Sequence, residues 1–359
     1  MLNIELNKFK KNHKKKLNQV LYISSNSNGI KEIENLLNNF LEEKNSFVFE
    51  SVEKGKIKGR YTIFGKRPDK VWEFNNNKGY LLKDNKRHLL KGEPKEIIEN
   101  IIENFKFKLP KELPNICALI SGYFSYDIIR YIEKIPNKCV DDLKIPDTRI
   151  LRPRLLIIHD NLKRKLFYIY NCFKEEKITN YQKKYFEIIN ELKNNIFLSN
   201  HQSNNQTNKT DKKISIKSNT TKKIFINNVK KAKKYIKLGD IFQVVLSQRF
   251  EASLNKTPLE IYKKLRVTNP SPFMFFFNFF DFQIVGASPE ILVRLRKNKI
   301  TIRPIAGTRP RGINKKKDNF YAKDLLNDKK ELSEHLMLLD LGRNDTGKVS
   351  KIGTVKVTE

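Results

Sequence analysis

The chain of 359 residues carries 72 Lys and Arg against 39 Asp and Glu, a formal charge of +33, with 39% hydrophobic and 11% aromatic residues. That apolar content supports a sizeable core in two domains or one large one, and excludes collagen, coiled coil and wholesale disorder. No apolar run reaches the roughly 18 residues of a membrane helix, and residues 1–16 lack the apolar stretch of a signal peptide, so no membrane association is expected. Cys117, Cys139 and Cys172 are far apart and odd in number, which suits neither a zinc site nor a disulfide framework and fits a reducing cytoplasm. Sixteen of the 72 basic residues are arginine, and the lysines are scattered among Asn and Ile. A phosphate-reading surface concentrates its charge and leans on Arg, so the excess reads as compositional drift and no nucleic-acid partner is expected. Eight arginines lie between Arg249 and Arg343, which gathers the strong anion-binding side chains in that stretch.

In chain order, residues 1–20 read as a solvated basic leader. Alternating Phe47, Val48 and Phe49 lead to Glu50 and Ser51, and the run 59–65 follows as a second strand. Residues 97–105 have helical spacing, 119–126 and 155–170 are strand-like, and Tyr181, Tyr185, Ile188, Leu192 and Ile196 make one helical stripe. Residues 199–223 are nearly all polar and read as a linker or long surface loop. A helix with Phe225, Val229, Ala232 and Ile236 on one face ends at Gly239, placed as a C′ glycine. Residues 241–250 predict a strand, and Thr257 to Glu260 form a capping box with Pro258 at N1 that starts a helix running to about Arg266. Strands at 273–280, 283–287, 291–296 and 299–303 precede a helix over 324–341. The expected fold is α+β, with mostly antiparallel sheets and flanking helices in two domains, 21–198 and 224–359.

Three places break these patterns, as functional sites often do. The helix around Glu334 is apolar nearly all round, so Glu334 is expected to be buried, where it needs an arginine, a metal or a raised pKa. Residues 286–290 join two strands through small residues that let a ligand approach the backbone, or simply make a turn, with Glu290 at the strand end. Residues 304–312 put Gly307, Thr308, Arg309 and Arg311 at a strand end, a set suited to a small carboxylate. Residues 341–345 read as a helix C-cap. His159 and His335 read as structural, and there is no Gly-x-Ser-x-Gly, Walker or Gly-x-Gly-x-x-Gly motif.

Taken together and in order, GDIFQVVLSQR from Gly239, NPSPFM from Asn269, GASPE from Gly286, PIAGTRPRG from Pro304 and EHLMLLDLGRND from Glu334 resemble component I of anthranilate synthase, among the chorismate-using enzymes. Glu50, Ser51 and Gly59 to Tyr61 resemble that family's regulatory domain. The resemblance implies an enzyme, a Mg²⁺-dependent carbon–oxygen lyase, that adds ammonia to chorismate at C2, loses the C4 hydroxyl and eliminates pyruvate to give anthranilate, the first step of tryptophan biosynthesis. It implies a glutamine amidotransferase partner that supplies the ammonia. By match to the motifs, Glu334 is a Mg²⁺ ligand, Gly307 and Thr308 bind chorismate, and Glu290 and Thr308 are catalytic, Glu290 as the acid that protonates the departing hydroxyl. Glu50, Ser51, Asn269, Pro272, Phe273 and Met274 match the feedback site for L-tryptophan. The alternatives are aminodeoxychorismate synthase component I, many of whose members carry a nucleophilic Lys where Ala306 stands, and a non-catalytic tryptophan-binding fragment. Members of the family continue for about 150 residues beyond the last motif here, with a second Mg²⁺ glutamate, so this chain is expected to be a C-terminally truncated form, inactive alone.

Overall fold

In the computed structural model of the protein, residues 2–27, 29–53, 56–57, 59–84, 86–201 and 214–358 are described. The first elements are α1 (Leu6–Lys14), β1 (Gln19–Asn26), α2 (Ile30–Asn39), β2 (Ser46–Glu50), β3 (Val52–Glu53), β4 (Lys56–Ile57) and β5 (Tyr61–Asn75). Next come β6 (Lys78–Lys83), β7 (Lys86–Leu89), α3 (Pro94–Asn104), β8 (Ser121–Phe124), β9 (Thr148–Asp160), β10 (Lys165–Cys172) and α4 (Tyr181–Asn200). The later part holds β11 (Ile216–Ser218), α5 (Lys222–Leu238), β12 (Phe250–Ala252), α6 (Pro258–Thr268), β13 (Phe273–Asn278) and β14 (Gln283–Ser288). It ends with β15 (Arg294–Arg296), β16 (Lys299–Thr301), α7 (Lys315–Asn327) and α8 (Lys329–Val349).

Among the described residues, ten strands form one sheet, ordered β1-β10-β9-β5-β2-β13-β14 with β6 on β5, β7 on β6 and β8 on β9, and every pairing is antiparallel. The expectation of an α+β fold with antiparallel sheets holds. The sheet runs through both halves of the chain, because β13 pairs with β2 in the register Met274↔Glu50 to Asn278↔Ser46.

Strand alternation sends successive side chains to opposite faces, and here both faces are covered. Val48, Phe64, Leu155, Ile157, Met274 and Phe276 pack with Phe9, Leu36, Phe40, Ile188, Leu192 and Tyr262 from α1, α2, α4 and α6. Phe47, Leu156, Ile158, Phe167, Ile169 and Phe277 pack on the other face with Leu113, Cys117 and Phe279. This double burial is why β9 carries the unbroken apolar run 155–158, with Leu155 and Ile157 on one face and Leu156 and Ile158 on the other. Two cross-strand pairs set an aromatic ring over a glycine. A Cβ at Gly65 would lie 2.2 Å from the Phe47 ring, and one at Gly286 would lie 2.1 Å from the Phe275 ring. The small residue at 286 therefore seats a neighbouring ring, and the expected room for a ligand there is filled by Phe275.

Several expectations are corrected. The leader is not solvated throughout: α1 buries Phe9 against Tyr181 and Tyr185, since an amphipathic helix beside α4 removes that ring from water. Of the polar linker, 202–213 lies outside the described residues, whereas Ser199 is buried in α4 beside the Tyr168 hydroxyl, 2.7 Å away. Residues 241–249 are irregular rather than a strand, and only Phe250–Ala252 pairs, with β11. The helix expected over 324–341 is two helices, parted at Asp328, whose carboxylate caps α8 by accepting the Lys330 and Glu331 amides at 3.0 and 3.3 Å. α8 continues to Val349, so 341–345 is not a C-cap. Gly239 is the αL cap expected, at φ 80°, and the Thr257–Glu260 capping box forms.

His159 is buried on β9, with Nε2 2.7 Å from Ser27 Oγ, and the Ser27 hydroxyl also donates to Glu32. Burial lowers the pKa of His159 from 6.5. A native base that resists protonation stabilises the fold fully above about pH 6.5, and that contribution is lost as pH falls, because the unfolded chain takes up the proton more readily. Acidification from about pH 7 to 5 is therefore expected to lower the urea midpoint, and to lower it less in His159→Gln. Gly65→Ala, which forces a methyl into the Phe47 ring, is expected to cost about 1–3 kcal/mol in urea unfolding.

Candidate functional site

Two clusters of sequence-predicted residues form, one at each end of the β13–β14 hairpin's connections. The first surrounds Glu50, at the end of β2 on the face covered by helices. The alternation that buries Val48 also buries Glu50, which is 3% exposed and stands opposite Met274, 1% exposed. The Tyr262 hydroxyl donates to Glu50 Oε1 at 2.6 Å, and Arg266, one turn further along α6, donates through Nε to Oε2 at 3.1 Å. Its terminal nitrogen lies 3.0 Å from the same oxygen. Burial, and then the Glu50 charge, push the Tyr262 phenol well above its ordinary pKa, so it stays a donor. The capping box and Pro258 fix where α6 begins, which sets the azimuth of Tyr262 and Arg266.

The chain leaves α6 at Asn269, and Pro270 and Pro272 disfavour helical backbone at the residues that precede them, Asn269 and Ser271. The Ser271 carbonyl accepts the Val52 amide at 2.9 Å. Glu50, Ser51, Asn269, Pro272, Phe273 and Met274 are thus brought to the neighbouring ends of β2 and β13. Asn269, Pro272 and Phe273 are exposed, Ser51 is half-buried, and Glu50 and Met274 are buried.

The second cluster lies beyond β14. Exposed Glu290 accepts the Ile305 amide at Oε1, 3.0 Å away, which ties the strand end to the segment carrying Gly307 and Thr308. Gly307 sits against α8: a Cβ there would meet Glu331 Oε2 at 2.1 Å. Thr308 is exposed and its carbonyl accepts from Arg309 at 3.1 Å. Glu334 stands one helical turn after Glu331 on α8, on the same side.

The arginines do not serve as expected. Arg309 spans Asp324 (2.6 Å), Asp328 (2.6 Å) and Glu331 (3.5 Å), and Arg311 pairs with Asp318 at 2.9 Å. Arg309 is a strut joining the 304–312 segment to both ends of the α7–α8 break. The Glu331 amide, and then Arg309, hold Asp328 below the usual carboxylate range. Nor is Glu334 buried with an arginine. It is half-buried and its Oε1 accepts the Gln243 side-chain amide at 3.2 Å. The reason is that α8 buries no residue: Leu332 and Leu336 are 48% and 54% exposed, so water reaches the helix on several sides.

Among the described residues, no group of three or more His, Cys, Asp or Glu side chains is arranged to hold a metal ion. Mg²⁺ takes six oxygen ligands, several of them water, with one or two carboxylates. Glu334 offers one carboxylate, and Glu331, its neighbour, is turned to Arg309. These residues do not by themselves make a Mg²⁺ site.

Nothing in the local pattern marks Tyr262, Arg266 or Glu331 as partners of the predicted residues. Tyr262 and Arg266 are four apart on a helix, which signals a shared face, but nothing local signals an acid 212 positions earlier. Gln243 lies within the run GDIFQVVLSQR from Gly239, whose spacing does not show that it meets Glu334.

A family model described as chorismate binding enzyme matches residues 46–359. The chain belongs to the chorismate-binding enzyme family. Component 1 of anthranilate synthase from Cereibacter sphaeroides is 41% identical over 322 residues, covering 88% of this chain and 64% of the relative. That from Acetivibrio thermocellus is 40% identical over 330 residues, covering 90% and 66%. The crystal structure of anthranilate synthase component I from Streptococcus pneumoniae superposes with a TM-score of 0.72 at 31% identity, covering 85% of this chain and 65% of that one. The chain therefore spans a little under two thirds of the length of these relatives. No helix among its described residues is long and apolar enough to cross a membrane.

In this member of the chorismate-binding enzyme family the Glu50 network sets a stability test. Glu50→Ala leaves Arg266 and Tyr262 unpaired beneath α6 and is expected to cost about 3–5 kcal/mol. Tyr262→Phe, which leaves the arginine pair intact, is expected to cost about 1–3 kcal/mol in the same urea titration.

Proposed function

We propose that this chorismate-binding enzyme provides the large-subunit chemistry of anthranilate synthase. Chorismate and ammonia give anthranilate, pyruvate and water: ammonia adds at C2, the C4 hydroxyl leaves as water, and the enolpyruvyl group is eliminated as pyruvate. The observation that carries this reading is the Glu290–Ile305 hydrogen bond, which sets an acid beside the segment with Gly307 and Thr308. One carboxyl oxygen is fixed by the amide, and the other, Oε2, would carry the proton to the departing hydroxyl. Gly307, without a side chain, and the Thr308 hydroxyl would receive chorismate. Ala306 precedes them and has no amine, which favours amination at C2 by free ammonia over the lysine-bearing pattern of aminodeoxychorismate synthase. The relatives named above as anthranilate synthase component 1 support the same choice.

The remaining assignments follow from that reading. Glu334 would be one ligand of a Mg²⁺ ion, which would supply electrophilic grip on a chorismate carboxylate, and its other ligands would come from outside the described residues. A glutamine amidotransferase subunit would deliver the ammonia, in the cytoplasm. Glu50, Ser51, Asn269, Pro272, Phe273 and Met274 would form an inhibitory L-tryptophan site, with 21–198 as the regulatory part and 224–359 as catalytic.

Residues 1–359 alone are expected to yield no ammonia-dependent anthranilate fluorescence, since their one carboxylate at the metal position is Glu334. A chimera of the Cereibacter sphaeroides relative, with its matching region replaced by residues 46–359, is expected to produce that fluorescence, and Glu290→Gln to reduce its kcat by about 10²-fold or more. A fluorescent product from the unmodified 359 residues would overturn the single-carboxylate account. Full activity of Glu290→Gln in the chimera would remove Glu290 as the acid.

A further inference from the structure

Ser271 stands between the two clusters and belongs to neither set of predicted residues. It is buried, with a backbone group turned to one cluster and its side chain to the other. Its carbonyl accepts the Val52 amide at 2.9 Å, one residue beyond Ser51. Its hydroxyl donates to the Ser288 carbonyl at the end of β14. From Ser288 the contacts continue: its hydroxyl bonds the Glu290 carbonyl at 3.0 Å and receives the Glu290 amide at 3.4 Å. Glu290 Oε1 then holds the Ile305 amide, two residues before Gly307. Hydrogen bonds thus link, residue by residue, Val52 at the start of β3 to the segment proposed to receive chorismate. Pro270 and Pro272 on either side of Ser271 limit its backbone, so a displacement at Val52 is passed on to Ser288 rather than absorbed locally.

We propose that Ser271 is a positioning residue that couples the Glu50–Ser51 site to Glu290. The coupling runs through the Ser271 hydroxyl, which sets the Ser288 carbonyl and with it the angle at which Glu290 meets Ile305. Its regulatory meaning rests on the tryptophan and general-acid assignments above. The positioning itself does not.

Contiguity alone does not demonstrate coupling, so the test measures transfer. Hydrogen exchange is followed on the purified 359-residue chain. Without ligand, Ser271→Ala is expected to speed exchange of the Glu290 and Ile305 amides about tenfold while the Phe49 and Ile157 amides, in the sheet core, keep their rates. Unchanged rates at 290 and 305, or a uniform rise across the sheet, would overturn the proposal. In the unmodified chain, saturating L-tryptophan is expected to slow exchange at Glu290 and Ile305 several-fold. Ser271→Ala is expected to bind L-tryptophan, by calorimetric heat, without that change. Heat with no change at 290 and 305 in the unmodified chain, transfer that persists in Ser271→Ala, or loss of binding in that variant each refutes the coupling. Absence of heat in the unmodified chain removes the tryptophan assignment alone, and the ligand-free comparison still decides the role of Ser271.

Discussion

The antiparallel pairing of β2 with β13 joins segments more than 220 residues apart, Ser46–Glu50 with Phe273–Asn278, and the candidate sites exist only because it forms. It extends the N-terminal sheet by two strands and sets Met274 opposite Glu50. Closing so long a loop carries an entropic cost that local contacts do not offset. The compensation is burial on both faces: Phe47 and Phe277 pack at 5.7 Å on one side, while Val48, Phe276 and Tyr262 meet on the other. A second tie follows at once in sequence. Arg149 on β9, 2% exposed, bonds both Glu73 of β5 and Asp281 in the turn after β13. A buried arginine needs both acids, so the turn is held to the far side of the sheet.

The same economy governs the arginines of the second half. Arg249 meets Asp142 and Glu251, Arg266 meets Glu50, Arg309 meets three acids, Arg311 meets Asp318 and Arg343 meets Asp340. The forked guanidinium suits bidentate pairing with carboxylates of the chain itself as well as with an external anion. The gathering of arginines after residue 249 therefore marks a region braced by ion pairs. What remains for a ligand at the second cluster is the Thr308 hydroxyl, the bare backbone of Gly307, and the Glu290 carboxyl tied to the Ile305 amide.

The two halves differ in how deeply their side chains are set. The sheet and its α1, α2 and α4 cover carry the buried core, whereas α5, α7 and α8 bury no residue and show Val229, Ile236, Leu326, Leu332 and Leu336 to solvent. Glu334 takes its character from this. In a helix apolar nearly all round a carboxylate would be desolvated and driven to a cation, but on α8 water and the Gln243 amide solvate it instead. The mobility of such a helix is set by few buried contacts, which places it at the low end of local stability.

The sequence by itself determined whatever depends on neighbours within a turn or a strand. It determined the αL glycine that stops α5, the capping box that starts α6, the stripe of α4, the double-sided apolar run of β9, and, through motifs of fixed order, the family. It also put Glu290, Gly307, Thr308 and Glu334 in segments that the fold brings near one another, and Glu50, Ser51 and Met274 at adjoining strand ends. Tertiary structure alone decided which groups answer which: Tyr262 and Arg266 for Glu50, Asp328 for Arg309, Gln243 for Glu334, Phe275 for the space above Gly286. It also decided that residues 241–249 take an irregular path, and that α1 docks rather than dissolving. Periodicity reports which face of an element is apolar, but not what stands opposite, because a partner across the sheet is chosen by the whole chain's closure and leaves no trace in local spacing.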